Sequence, residues 1–233
     1  MLNSQPMIFY SPSQLVQDAK RHGVHVLPVD VTISGWDSSL ERVDGAERTA
    51  VRLGLSLLRG MRDGAGERIE NARAVRQYTT VSDLARRAHL DRHDLQVLAA
   101  ANALSSLAGN RREAPWQSVA AVPDRDMLVV AKVEDETPGP GAPSEADDIV
   151  GDYRSMGLTL GRHPLALLRP QLLENRLMPA STLHTYRNGR LARGCGIVTV
   201  RQRPETAKGV IFITLEDETG NVNVIIWPKV LEQ

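Results

Sequence analysis

The sequence predicts a multidomain chain: a mainly α region of tandem helix-hairpin-helix units, followed by an incomplete β-barrel of the OB-fold type. Three observations predict it. Capping residues precede apolar positions at helical spacing repeatedly between residues 47 and 112. The stretch Gly194–Pro228 divides into three β-branched runs. Between these regions lies an acidic connector that contains the Pro- and Gly-rich stretch Thr137–Ser144, which reads as a linker.

In chain order, Ser11-Pro12-Ser13-Gln14 is a helix start, with Ser11 as cap, Pro12 at the first helical position and Gln14 closing a capping box. Gly23 ends that helix. Val24, Val26 and Val29 read as a short strand interrupted by Pro28, and Asp37–Ala46 as a polar connector. Leu53, Leu57 and Leu58 give one helical face and Ile69 and Ala72 another, with Gly60-Met61-Arg62 as the break. This is a first helical hairpin. Thr80–Asp83 caps a helix carrying Leu84, Ala85 and Ala88; Asp91–Asp94 opens another with Leu95, Leu98 and Ala99, making a second hairpin. Met127–Val130 reads equally as a strand or a helical turn. Asp147–Gly157 and Leu165–Leu173 are expected helices.

The three expected strands begin with Ile197, Val198 and Val200, continue with Val210–Leu215, and close with Val222, Val224 and Ile226. Glu216–Asn221 is the expected loop of a hairpin, in which Asp217 caps the turn and Gly220 takes positive φ. An OB barrel needs two more strands after these. The apolar residues Ile211, Ile213, Val224 and Ile226 are therefore expected to be poorly covered. The domain boundaries follow: 1–46, 47–112 (the hairpins), 113–146 (the acidic connector), 147–182 (a helical connector) and 183–233 (the front of the barrel).

Composition narrows the chemistry. A single cysteine, Cys195, excludes an intrachain disulfide and a thiolate metal cluster. There is no apolar run long enough for a membrane span and no signal-peptide pattern, so a cytoplasmic setting is expected. Net charge is zero but unevenly spread. Arg48–Arg112 holds 12 basic against 6 acidic residues, and Tyr186–Ile211 holds 6 against 1, whereas Glu113–Asp152 holds 2 against 10. Two basic modules around an acidic connector point to a polyanionic partner, or to ordinary solvated helix faces.

The candidate site residues follow from this distribution. A glycine turn at a helix N-terminus can hold a phosphate through backbone N–H groups, so Gly60 with Arg59, Arg62 and Arg68 forms one candidate. The usual Gly-apolar-Gly pattern has Arg62 at its second glycine, which predicts a distorted turn. Arg201, Arg203 and Lys208, on or beside the first barrel loop, can neutralise a single strand. Phe212 is a stacking platform for a base or a core residue. Asp147 and Asp148 suit a helix start better than a metal site, Asp30 and Asp37 have no evident partners, and His163 and His184 suit polar packing roles. No catalytic or metal-binding constellation is visible. A free-standing DNA-binding adaptor and a protein-interaction scaffold remain alternatives to an enzyme segment.

Several blocks carry a family resemblance. LNSQPMIFYSPSQLVQDAKRHGVHVLPVDV resembles the end of the fingers region of bacterial C-family DNA polymerases, the group of the DNA polymerase III alpha subunit. LGLSLLRGMRDGAGERIENAR and SDLARRAHLDRHDLQVLAAANAL resemble their tandem helix-hairpin-helix. DYRSMGLTLGRHPLALLR resembles the connector before the barrel, and GIVTVRQRPETAKGVIFITLEDETGNVNVIIWP resembles their OB domain. QPMIFYSP, VQDAKRHGV and TLGRHPLALLR are most similar to the error-prone, damage-inducible type. The resemblance implies template-directed DNA synthesis in damage-induced translesion synthesis and repair, with magnesium, deoxynucleotides and damage-response accessory proteins. It places the metal-binding aspartates in a palm domain upstream, so this chain is expected to be a C-terminal portion that is inactive alone. It also implies duplex contacts at Arg59, Gly60 and Arg62, and single-strand contacts at Arg201, Arg203, Lys208 and Phe212.

Overall fold

A computed structural model describes residues 1–4, 11–43, 49–109 and 143–231. Met127–Val130 and most of the acidic connector lie outside them. The described residues form two compact units, 1–160 and 161–233.

The first unit opens with helix α1 (Pro12–Arg21), whose Ser11 and Gln14 close the expected capping box. Gly23, at φ +74°, ends the helix. A small sheet follows: β1 (Val26–Leu27), β2 (Ser39–Glu41) and β3 (Ala50–Arg52), in the order β1-β3-β2. β3 runs parallel to β1 and antiparallel to β2. This sheet corrects two expectations. The polar connector contains β2, and the leading helix of the first hairpin is replaced by β3 and a single 3-10 turn, Leu55–Leu57. Gly54 shows why. A Cβ there would lie 2.4 Å from the Trp36 carbonyl oxygen, so the backbones of 36–38 and 54 touch. Asp30, expected without partners, caps a turn by accepting from the Thr32 N–H at 2.8 Å.

After the Gly60 turn come α2 (Asp63–Val75), α3 (Val81–Arg87), α4 (Arg92–Ala100) and α5 (Ser105–Ala108). Thr80 caps α3, and Asp91 with Asp94 makes a capping box on α4. Ala65, Gly66 and Ile69 form the buried face of α2. A Cβ on Gly66 would stand 2.5 Å from the Trp36 ring, so glycine admits the indole onto the helix. α6 (Glu145–Ser155) starts with a Ser144–Asp147 capping box; Asp147 therefore serves the helix start, as its acidic first turn suggests. One apolar core runs from Val16, Val29 and Val31 through Leu53, Ile69, Leu84 and Leu98 to Leu158. Segments 1–46 and 47–112 thus share a core with residues just past 147.

The second unit carries α7 (Pro164–Glu174), α8 (Ala180–Leu183) and a three-stranded antiparallel meander, β4 (Ile197–Gln202), β5 (Ile211–Asp217) and β6 (Gly220–Ile226), followed by α9 (Pro228–Leu231). The strands fall where expected, but the β5–β6 loop is shorter: only Glu218 and Thr219 separate the strands. Asp217 Oδ1 accepts from the N–H groups of Thr219 and Gly220, and Gly220 sits at φ +153°. No closed barrel forms among the described residues. Of the four residues expected to lack cover, Ile211 is buried, since β5 is the central strand, and Ile213, Val224 and Ile226 are half-buried. On the opposite face Phe212 and Ile225, which pair directly across β5 and β6, are exposed, and on the face of Ile213 the β4 residue Val198 is exposed as well. Trp227 beyond β6 is also exposed.

Candidate nucleic-acid interface

Two turns in the first unit repeat one local design. Gly60 at φ +86° is followed by apolar Met61, then by Arg62, extended at φ −98°, as the N-cap of α2. His89 at φ +50° is followed by apolar Leu90, then by Asp91, at φ −88°, as the N-cap of α4. The expected distortion at Arg62 is absent, because this position needs an extended residue rather than a left-handed one. The second turn, with His89 in the place of Gly60, escaped the sequence reading because a non-glycine residue takes the positive φ.

The arginines expected at the first turn have internal partners. The Arg59 guanidinium donates to the carbonyls of Tyr153 and Arg154, at 3.2 and 3.4 Å, and so closes the end of α6. Arg62 reaches Asp94 at 2.6 Å and Asp91 at 2.5 Å. Arg68 donates to the Ala88 carbonyl at 2.8 Å and to that of Gly64 at 2.9 Å, and reaches Asp94 at 3.5 Å. Hydrogen bonds to Asp91 and Asp94 raise the Arg62 pKa, and the same Arg62 bond holds Asp91 below the usual carboxylate range. Gly60 packs against Val97 and His93, 3.5 and 3.7 Å from where a Cβ would stand, and its carbonyl meets His93 Nε2 at 3.0 Å. The two turns are thus braced to each other.

A second arginine cluster stands at the far end of α2. Asp83 is buried, and Arg76, Arg86 and Arg87 approach its carboxylate at 3.2, 3.4 and 3.0 Å. Burial alone would raise the Asp83 pKa. Bonds from Arg87 and the Thr79 N–H outweigh burial and lower it, so the group stays ionised. Arg87 also donates to the carbonyls of Ala72 and Arg76 and lies over the Tyr78 ring at 4.9 Å.

In the second unit, Arg201 pairs with Ile213, so it lies on the face opposite Phe212. Gln202 pairs with Phe212, and Phe212 with Ile225, making one exposed row. Arg203 and Lys208 are exposed in the β4–β5 connection, where Lys208 takes φ +47° and Gly209 φ +85°. The structure therefore groups Arg203, Lys208 and Phe212 at one end of the meander and puts Arg201 across the sheet. Ile225 and Trp227 were missed, although an exposed tryptophan stands out in a chain with only three. At the opposite end, Arg169 binds Glu218 at 2.5 Å and Asp217 at 3.2 Å. Asp217 is held low despite its burial, which acts the other way, by N–H donors from Ala180 and Thr219; Glu218 is held low chiefly by Arg169. His163 caps α7 by accepting from the Leu165 N–H, and burial lowers its pKa. His184 Nε2 lies 2.9 Å from the Asn221 carbonyl, so both histidines have the polar roles expected.

Among the described residues, no group of three or more His, Cys, Asp or Glu side chains lies close enough to hold a metal ion. No helix among them is long and apolar enough to cross a membrane.

Turn, helix and brace together define a helix-hairpin-helix module, and residues 23–114 match the helix-hairpin-helix motif family. The chain as a whole is homologous to a segment of the error-prone DNA polymerases. It is 60% identical to the error-prone DNA polymerase of Burkholderia pseudomallei, 58% to that of Bordetella parapertussis and 51% to that of Alkalilimnicola ehrlichii. Each match covers all of this chain and 22% of the relative, so the chain spans about a fifth of their length.

Proposed function

We propose that this chain is the DNA-binding C-terminal portion of an error-prone DNA-directed DNA polymerase that acts in damage-induced translesion synthesis and repair in the cytoplasm. The observation that carries the reading is identity of 48–60% along the whole chain to proteins named error-prone DNA polymerase, joined to the helix-hairpin-helix match. In this reading the paired turns and α2 meet duplex backbone, and the meander is the front of an OB-type barrel. There Arg203 and Lys208, with Arg201 from the other face, neutralise a single strand while Phe212 stacks on a base. The carboxylates and magnesium of nucleotidyl transfer, and the contacts to damage-response accessory proteins, belong to the rest of the polymerase.

The test is titration of the purified chain with labelled duplex and with labelled single strands over a range of salt. Binding to both is expected, with affinity falling steeply as salt rises. Salt-independent binding, or none, refutes the DNA-binding reading. Primer extension by the same preparation is expected to give no product; incorporation would show that catalytic groups lie within the chain.

A further inference from the structure

We infer that Arg76 and Arg86, at the junction of α2 and α3, form a phosphate-binding site for the backbone of duplex DNA, separate from the Gly60 turn. The inference rests on the DNA-binding reading above.

Charge balance is the first argument. Residues 58–70, around the Gly60 turn, carry three arginines against three carboxylates, and the turn's Arg62 is shared between Asp91 and Asp94. Residues 71–90 carry four arginines against one carboxylate, Asp83. Three of those arginines converge on that one carboxylate, which leaves a local excess of two positive charges. Arg87 is absorbed into the fold by the carbonyls that end α2. The excess therefore resides on Arg76 and Arg86.

Geometry is the second argument. The Arg76 and Arg86 side chains are 63% and 74% exposed, while the carboxylate between them is 6% exposed. Each guanidinium spends one nitrogen, Nη2, on the same oxygen, Asp83 Oδ1. Their other guanidinium nitrogens make no hydrogen bond to the described residues. The buried carboxylate thus holds two forks side by side without neutralising both, which lowers the entropy cost of gripping an anion. A phosphodiester oxygen pair matches such forks. Binding here reads no base, because nothing in the cluster offers a donor–acceptor pattern beyond the guanidinium.

The experiment compares the 233-residue chain with its R76Q/R86Q variant, using a duplex of about two helical turns and the matching single strand. Loss of two phosphate contacts should reduce the slope of log affinity against log salt by about 2 and weaken duplex binding about tenfold at low salt. Single-strand binding should change little. Should the double variant lose its thermal unfolding transition, R76Q and R86Q are measured singly, each with a slope reduced by about 1. An unchanged slope in folded variants, with the parent chain still binding duplex, overturns the inference and leaves the DNA-binding reading standing. A parent chain that binds no duplex overturns both.

Discussion

Asp94 and Asp83 are both buried carboxylates approached by more than one arginine, yet they end in opposite electrical states. At Asp94 two arginines meet two aspartates, Asp91 and Asp94, and charge closes within the fold. At Asp83 three arginines meet one aspartate, and charge is left over at the surface. The first cluster spends its cations on joining two turn–helix units. The second spends one arginine on the fold and presents two to solvent. The number of arginines in a stretch therefore says little about its capacity for a polyanion; the number of carboxylates that fold back onto them decides it.

Breaking each carboxylate separates the two roles. Asp94→Ala removes the hub for Arg62 and Arg68 and one half of the α4 capping box. The loss should be about 2–3 kcal/mol in urea unfolding, toward the low end for a broken buried pair because the stranded arginines reach solvent. A loss under about 0.5 kcal/mol would show that the brace is decorative. Asp83→Asn should destabilise less, since Arg76 and Arg86 already face water, and it should raise duplex affinity by removing the one opposing charge. Lower duplex affinity in a folded Asp83→Asn variant would contradict the surplus-charge account.

Acid should act on the same comparison more gently. Asp83, Asp91 and Asp217 have pKa values below the ordinary 3.8, and Glu218 below 4.5. A carboxyl group held low in the folded state contributes stability that is complete above its unfolded value, and that contribution is lost as pH falls through the folded value. His163 works in the same direction at higher pH. Its folded value lies below 6.5, so its neutral cap is favoured above 6.5 and loses ground as pH falls below it. The thermal midpoint should thus decline slightly below pH 6.5 and steeply below about pH 4. Asp83→Asn should flatten the steep part. A midpoint constant between about pH 6 and 3 would mean that these carboxylates gain nothing from their partners.

The capped helices were legible because caps are local. Ser11 with Gln14, Thr80 before Asp83, and Asp91 with Asp94 each act within four residues, and each stands where its pattern places it. The meander was legible for the same reason: its alternation and its Asp217–Gly220 turn are read from neighbours. The leading helix of the first hairpin was misread because Leu53, Leu57 and Leu58 share a helical face only if Gly54 is ignored. That glycine records contact with residues 36–38, distant in sequence. The fate of Arg62 was illegible likewise, since its partners lie 29 and 32 positions away. The Asp83 cluster was half legible: Arg86 and Arg87 follow Asp83 at helical spacing, and only Arg76 arrives from another helix.

The smallest effect separates the two turns themselves. Gly60 and His89 hold equivalent positions, each with positive φ ahead of an apolar residue and an N-cap. At Gly60 the conformation costs no Cβ strain. At His89 a Cβ opposes it, by about 1 kcal/mol in a left-handed conformation. His89 is exposed and makes no hydrogen bond to the described residues, so its side chain offers nothing to offset that strain. His89→Gly should therefore stabilise the chain by no more than about 0.5 kcal/mol, the strain relieved less the extra freedom glycine has when unfolded. A small rise in thermal midpoint checks this. Loss of stability on that substitution would mean that His89 carries a contact outside the turn, and that the two turns are equivalent in backbone only.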